Sequence, residues 1–97
     1  MGELDFEWNE RKAEANVAKH GISFDEAVTV FYDDNARVIF DPDNSLEEDR
    51  YLILGMSEAS QLLLVCHVYR RNDEVIRVIS ARRATSREER QYWSFIP

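Results

Sequence analysis

Leu4, Phe6 and Trp8 alternate with charged residues, the period-two spacing of a short strand with one face on a core. The pattern then turns helical. Asn9 predicts a cap, the segment to about His20 is rich in alanine with Lys12 and Lys19, and Gly21 offers a stop that takes positive φ at no cost. A second helix is expected from Ser23. Ser23-Phe-Asp-Glu26 reads as a capping box and Ile22 with Ala27 as a hydrophobic staple. Ala27, Val28, Val30 and Phe31 supply its buried face, and Asp33-Asp34-Asn35 ends it. Four strand-like runs follow at Arg37–Phe40, Tyr51–Leu54, Gln61–Tyr69 and Val75–Ala81, with turns at Asp41–Asn44, Gly55–Ser60 and Arg70–Asp73. The third run is the longest and most apolar, which predicts a central strand. Ser86-Arg-Glu-Glu89 reads as a second capping box opening a last helix through about Trp93. The order predicts an α+β fold: an antiparallel β-sheet meander packed against two N-terminal helices and one C-terminal helix.

At 97 residues, 44% of them apolar, the chain suits a single domain over residues 1–97. No apolar run approaches the roughly 20 residues of a membrane span. Met1–Glu7 has neither a basic patch nor an apolar stretch, so no secretory leader and no membrane partner are expected. Cys66 is alone, which excludes an internal disulfide and a thiol-based zinc site. No metal motif, phosphate-cradling glycine loop or G-x-S-x-G elbow is present, so neither metal nor cofactor is expected. A cytoplasmic setting is the simplest.

Charge changes this picture. The net value of −7 speaks against a polyanionic partner, but residues 1–49 hold 14 acidic and 4 basic residues, whereas 50–97 hold 5 and 8. The basic residues include 10 Arg and 2 Lys, and the arginine fork fits phosphate and carboxylate alike. An acidic chain can therefore hold a local anion site. The acidic run Asp41–Asp49 reads first as a solvated loop, and otherwise as a surface for a basic partner.

Several residues carry candidate chemistry. His67 sits inside an apolar strand, sharing a face with Leu63, Val65, Tyr69 and Arg71. It is either a hydrogen-bonded core residue or an acid–base group near neutral pH. Arg77 lies among strand apolars and needs an acid partner or an anion. By parity Arg77 and Arg82 point to opposite faces, unless a bulge realigns them. Lys19 and His20 close the first helix, where cations complement the helix terminus. Arg87 and Arg90 lie on one side of the last helix, either clamping phosphate or pairing with Glu88 and Glu89.

Phe6-Glu-Trp8, Lys19-His-Gly-Ile-Ser-Phe-Asp-Glu-Ala27, Phe40-Asp-Pro-Asp43, Val65-Cys-His67, Arg77-Val-Ile-Ser-Ala-Arg82 and Glu89-Arg-Gln-Tyr92 together resemble the BrnT toxin family, in order over nearly the whole chain. The resemblance implies a RelE-like fold and a ribonuclease toxin of a type II toxin–antitoxin system that inhibits translation. It also implies a BrnA-like ribbon-helix-helix antitoxin as partner, with DNA met only through that antitoxin. The chain departs from the family pattern at Asn44, where a His is usual, at Asp49 for Glu and at Val68 for Thr. Metal-independent RNA cleavage needs a base for the 2′-hydroxyl, a cation for the phosphate and an acid for the leaving oxygen. Arg77 and Arg82, with Arg50 as a third, are expected on the phosphate, and His67 or Lys19 in proton transfer. His20, Arg83 and Arg87 are expected in substrate binding. An acidic surface weakens non-specific RNA binding, which favours a restricted or ribosome-associated substrate. The competing reading is a non-catalytic toxin-like module that binds an antitoxin through its sheet and the Tyr92–Phe95 tail. Direct DNA binding is disfavoured by the charge and by the lack of a recognition-helix pattern.

Overall fold

The computed structural model describes residues 4–96. Met1–Glu3, on which part of the expectation about a leader rests, and Pro97 lie outside the described residues. The elements are β1 (Asp5–Glu7), α1 (Glu10–His20), α2 (Phe24–Ala27), a 3₁₀ helix (Val28–Tyr32), β2 (Arg37–Phe40), a 3₁₀ turn (Pro42–Asn44), β3 (Tyr51–Met56), β4 (Leu62–Arg70), β5 (Val75–Arg83) and α3 (Ser86–Ser94). They form one five-stranded sheet in the order β1-β5-β4-β3-β2.

The sheet is mixed, which corrects the expectation of an all-antiparallel meander. β2 to β5 run antiparallel in sequence order, but β1 pairs in parallel with β5, Glu7 opposite Arg77. Period-two alternation marks a strand and is blind to its partner. β1 returns to the sheet at the edge farthest from β2, so the chain between them must cross one face. That crossing is α1, α2 and the 3₁₀ helix.

α1 begins as expected: the Asn9 side chain accepts from the Lys12 backbone N–H, and Gly21 closes the helix at φ 71°. The second helix is shorter than expected, four α-helical residues and then 3₁₀ geometry. Ser23 caps it, but Glu26 does not complete the box. Its carboxylate accepts instead from the Ser57 hydroxyl (2.6 Å) and the Gln61 amide (2.8 Å), tying this helix to the β3–β4 turn. Gly55 belongs to β3, not to the turn. A Cβ there would meet Ala36 Cβ at 3.0 Å and the Val30 carbonyl oxygen at 3.2 Å, so the 3₁₀ helix lies directly on β3. The last helix is capped one residue earlier than expected, by Thr85, with Glu88 completing a true capping box.

The main core lies between these N-terminal helices and one sheet face: Ile22, Phe24, Ala27 and Val30 against Ile53, Leu63, Val65, Val78 and Ala81. On the opposite face α3 covers only one end, with Tyr92 against Leu54 and Leu62. Tyr92 also donates to Asp33 at 2.6 Å, and burial with this bond pushes its hydroxyl up to about 12. The rest of that second face is open.

Candidate active site

The open half of the sheet holds a cleft of about 520 Å³, into which three segments bring basic side chains: Lys19 and His20 from the end of α1, Arg50 from the start of β3, and Arg82 from the end of β5. Leu52, Leu64, Cys66 and Ser80 form the floor, and Asp41 and Asn44 the far wall.

A bulge makes this arrangement possible. Val78 pairs with His67 and Ser80 with Cys66, so Ile79 is the extra residue on β5. Below it Arg77 stands opposite Val68, and above it Arg82 stands opposite Leu64. Val68 and Leu64 share parity, so the bulge turns both arginines to the same face. Only Arg82 reaches the cleft. The Arg77 guanidinium donates to Glu7 at 3.0 Å, its neighbour in the parallel β1–β5 register. Glu7 also lies 3.8 Å from Arg70, which pairs with Glu48. Arg77 has found the acid partner that a half-buried arginine needs.

Arg82 is held rigidly. It donates from both terminal nitrogens to the two oxygens of Glu88, each at 2.9 Å, and also to the Arg83 carbonyl. The bond raises the Arg82 pKa and lowers that of Glu88. The same carboxylate caps α3 by accepting from the Thr85 N–H, so the helix start sets the guanidinium plane. Among the described residues Lys19 and Arg50 make no ion pair with a carboxylate.

Asn16 fixes the other side of the cleft. β1 leaves the edge of β5 after Arg77, and the buried Asn16 amide takes over that edge at Ala81. It donates to the Ala81 carbonyl (2.8 Å) and the Ile22 carbonyl (2.9 Å) and accepts from the Ala81 N–H (3.0 Å). Lys19 and His20 follow three and four residues later, one turn along the same side of the helix. Asp41 is also buried. It accepts from the Asn44 side chain at 3.0 Å, its N–H donates to the Arg50 carbonyl at 2.8 Å, and its own carbonyl accepts from Ser45. Burial pushes the Cys66 thiol up, which keeps the floor neutral.

His67, expected among the catalytic groups, is not in the cleft. It is fully buried on the opposite face, edge-on to Phe31 and Tyr69 and beside Tyr51. The Val65 carbonyl can only accept, so Nδ1 carries the hydrogen and Nε2 accepts from the Tyr69 hydroxyl. Burial lowers its pKa to about 4, so the ring is neutral at physiological pH. Arg83 donates to Gln61 on the side away from the cleft, and Arg87 is exposed on α3. Glu88 pairs with Arg82, not with the arginines of its own helix. Asn16, Asp41 and Glu88 carry the architecture of the cleft. A bonded Asn in a helix, an Asp before a Pro and a capping Glu give a sequence no sign of that use.

The fold is that of a known toxin. The crystal structure of the Brucella abortus ribonuclease toxin, BrnT, is similar with a TM-score of 0.65 and 24% identity, covering 87% of this chain and 100% of that one. No curated protein matches the chain. The model of the family described as "Ribonuclease toxin, BrnT, of type II toxin-antitoxin system" matches residues 8–88, and the chain belongs to that family.

Proposed function

We propose that this chain is an active endoribonuclease and that the Lys19–Arg50–Arg82 cleft is its catalytic site. The observation that supports it best is the convergence of these cations from three separate segments on an open sheet face, in a protein of net charge −7. A chain this acidic gains no solubility from gathering its cations in one hollow, whereas a phosphodiester requires it.

In this reading Arg82 and Arg50 bind the phosphate and stabilise the charge that builds on it, an effect worth roughly 10²–10³-fold for one well-placed donor. The 2′-hydroxyl oxygen attacks phosphorus, the bond to the 5′-oxygen breaks, and a 2′,3′-cyclic phosphate and a 5′-hydroxyl result. Lys19 and His20 are the cleft groups suited to move the two protons, one from the 2′-hydroxyl and one to the 5′-oxygen. The reaction needs a 2′-hydroxyl, so RNA and not DNA is the substrate. His67, Arg77, Arg83 and Arg87 have no part in it.

The same reading includes a RelE-like fold, inhibition of translation in the cytoplasm, chemistry without a metal, and neutralisation by a BrnA-like ribbon-helix-helix antitoxin. The surface supports a protein partner: Val38, Ile39 and Phe40 on the edge strand β2 are 47%, 59% and 46% exposed. The test is the chemistry of the product ends. Purified protein is expected to leave 2′,3′-cyclic phosphate and 5′-hydroxyl termini, and Lys19→Ala and Arg50→Ala to slow their appearance. Intact RNA with wild type, in the presence or absence of ribosomes, overturns the enzyme and leaves a toxin-like binding module.

A further inference from the structure

A second hollow opens on the same sheet face, between β2 and α3. Leu52, Leu54 and Leu64 line it from the sheet, Tyr92, Phe95 and Gln91 from the α3 side, and Ile39 of the exposed β2 edge borders it as well. Leu52 and Leu64 also floor the basic cleft, so the two hollows are one continuous surface. Glu88 lines the second hollow while holding the guanidinium of Arg82 in the first.

We propose that this hollow seats a nucleobase of the RNA, the one next to the phosphate held by Arg82; this deepens the ribonuclease reading and rests on it. Four features fit a base. The volume, about 230 Å³, is below the roughly 300–1,000 Å³ of sites for larger ligands and suits one flat ring system. The leucine floor gives a dry surface for a π-face. The Arg37 guanidinium lies 3.6 Å over the Phe95 ring, a stack already formed on whose outer plane a base continues. Gln91 offers a donor and an acceptor together, the pairing that reads a base edge. Position agrees: Leu52 and Leu64 line both this hollow and the cleft that holds Arg82.

The experiment measures binding of the 3′- and 5′-monophosphates of adenosine, guanosine, cytidine and uridine by NMR titration, with ribose 5-phosphate as the base-free control. At least one nucleotide is expected to bind about tenfold tighter than ribose 5-phosphate, the order given by stacking of one base. Phe95→Ala and Gln91→Ala, both at exposed positions, should remove most of that advantage without changing the affinity for ribose 5-phosphate. Arg82→Ala should weaken nucleotide and sugar phosphate alike. Ribose 5-phosphate binding as well as every nucleotide overturns the base subsite and leaves the phosphate cleft standing. An advantage that survives both groove variants places the base elsewhere and also overturns it, as does a groove whose variants lose only a protein partner. If neither kind of ligand binds the wild type, the phosphate cleft itself falls and the subsite with it.

Discussion

Replacing His67 with Leu separates the core from the chemistry. The imidazole is fully buried, and its pKa falls from the ordinary 6.5 to about 4 because burial penalises the charged form. The folded value is the lower one, so on acidification the unfolded chain takes its proton first. Between pH 6.5 and 4 the unfolded state binds more protons, and stability must fall as pH falls through that window. At about 1.4 kcal/mol for each tenfold difference in proton affinity, the full loss is about 3.5 kcal/mol, of which about 3 kcal/mol is reached by pH 4. Leucine has similar volume and does not titrate. It gives up the hydrogen bonds to Val65 and Tyr69, about 1 kcal/mol each, but removes the acid sensitivity. Urea unfolding of both proteins from pH 7.5 to 4 reads the effect as the difference between them, because the carboxylates are common to both. The wild type should lose about 3 kcal/mol more than His67→Leu on crossing the window, and the variant should cleave RNA at the wild-type rate at pH 7.5. Parallel stability curves, or an NMR titration of the His67 ring near 6.5, would refute the assignment.

Three further outcomes follow from the packing. Asn16→Ala removes three buried hydrogen bonds and leaves the Ala81 edge unpaired, which should cost about 2–3 kcal/mol in chemical denaturation; Asn16→Asp should not rescue it, because a carboxylate cannot donate to two carbonyls. Glu88→Gln frees Arg82 and weakens the α3 cap, so thermal unfolding should show a loss of about 1 kcal/mol, and single-turnover cleavage should slow by about tenfold to a hundredfold with substrate affinity less changed. Gly55→Ala drives a methyl against Ala36 and Val30 and should destabilise by about 1–3 kcal/mol in urea without altering cleavage at permissive temperature.

The strands along the chain and the starts of the first two helices were legible because local chemistry sets them: alternation in Leu4–Trp8, the apolar run of β4, caps at Asn9 and Ser23. The parallel return of β1 was not, since it depends on where the crossing helices lie. The bulge at Ile79 was equally hidden. Its sequence, Val78-Ile-Ser80, reads as unbroken strand, yet it alone puts Arg82 and Arg77 on one face. Of the expected site, Lys19, His20, Arg50 and Arg82 do meet in one cleft. His67 shares a strand with Cys66 at the cleft floor, and parity sends it to the core. Arg77 and Arg82 each hold a carboxylate, Glu7 and Glu88 respectively, but only Arg82 lines the cleft. Position along the chain ranked these residues alike, and pairing across the sheet divides them.

Arg82 is the hub of the proposed chemistry, and its removal is the most direct test. Total RNA is incubated in EDTA with wild type, Arg82→Ala and His67→Leu, each confirmed folded by circular dichroism, and cleavage is followed with time. Wild type and His67→Leu should cut at the same rate, and Arg82→Ala about a hundredfold more slowly or worse. An Arg82→Ala protein that cuts as fast as wild type, or a folded His67→Leu protein that does not cut at all, would contradict the placement of the active site in this cleft.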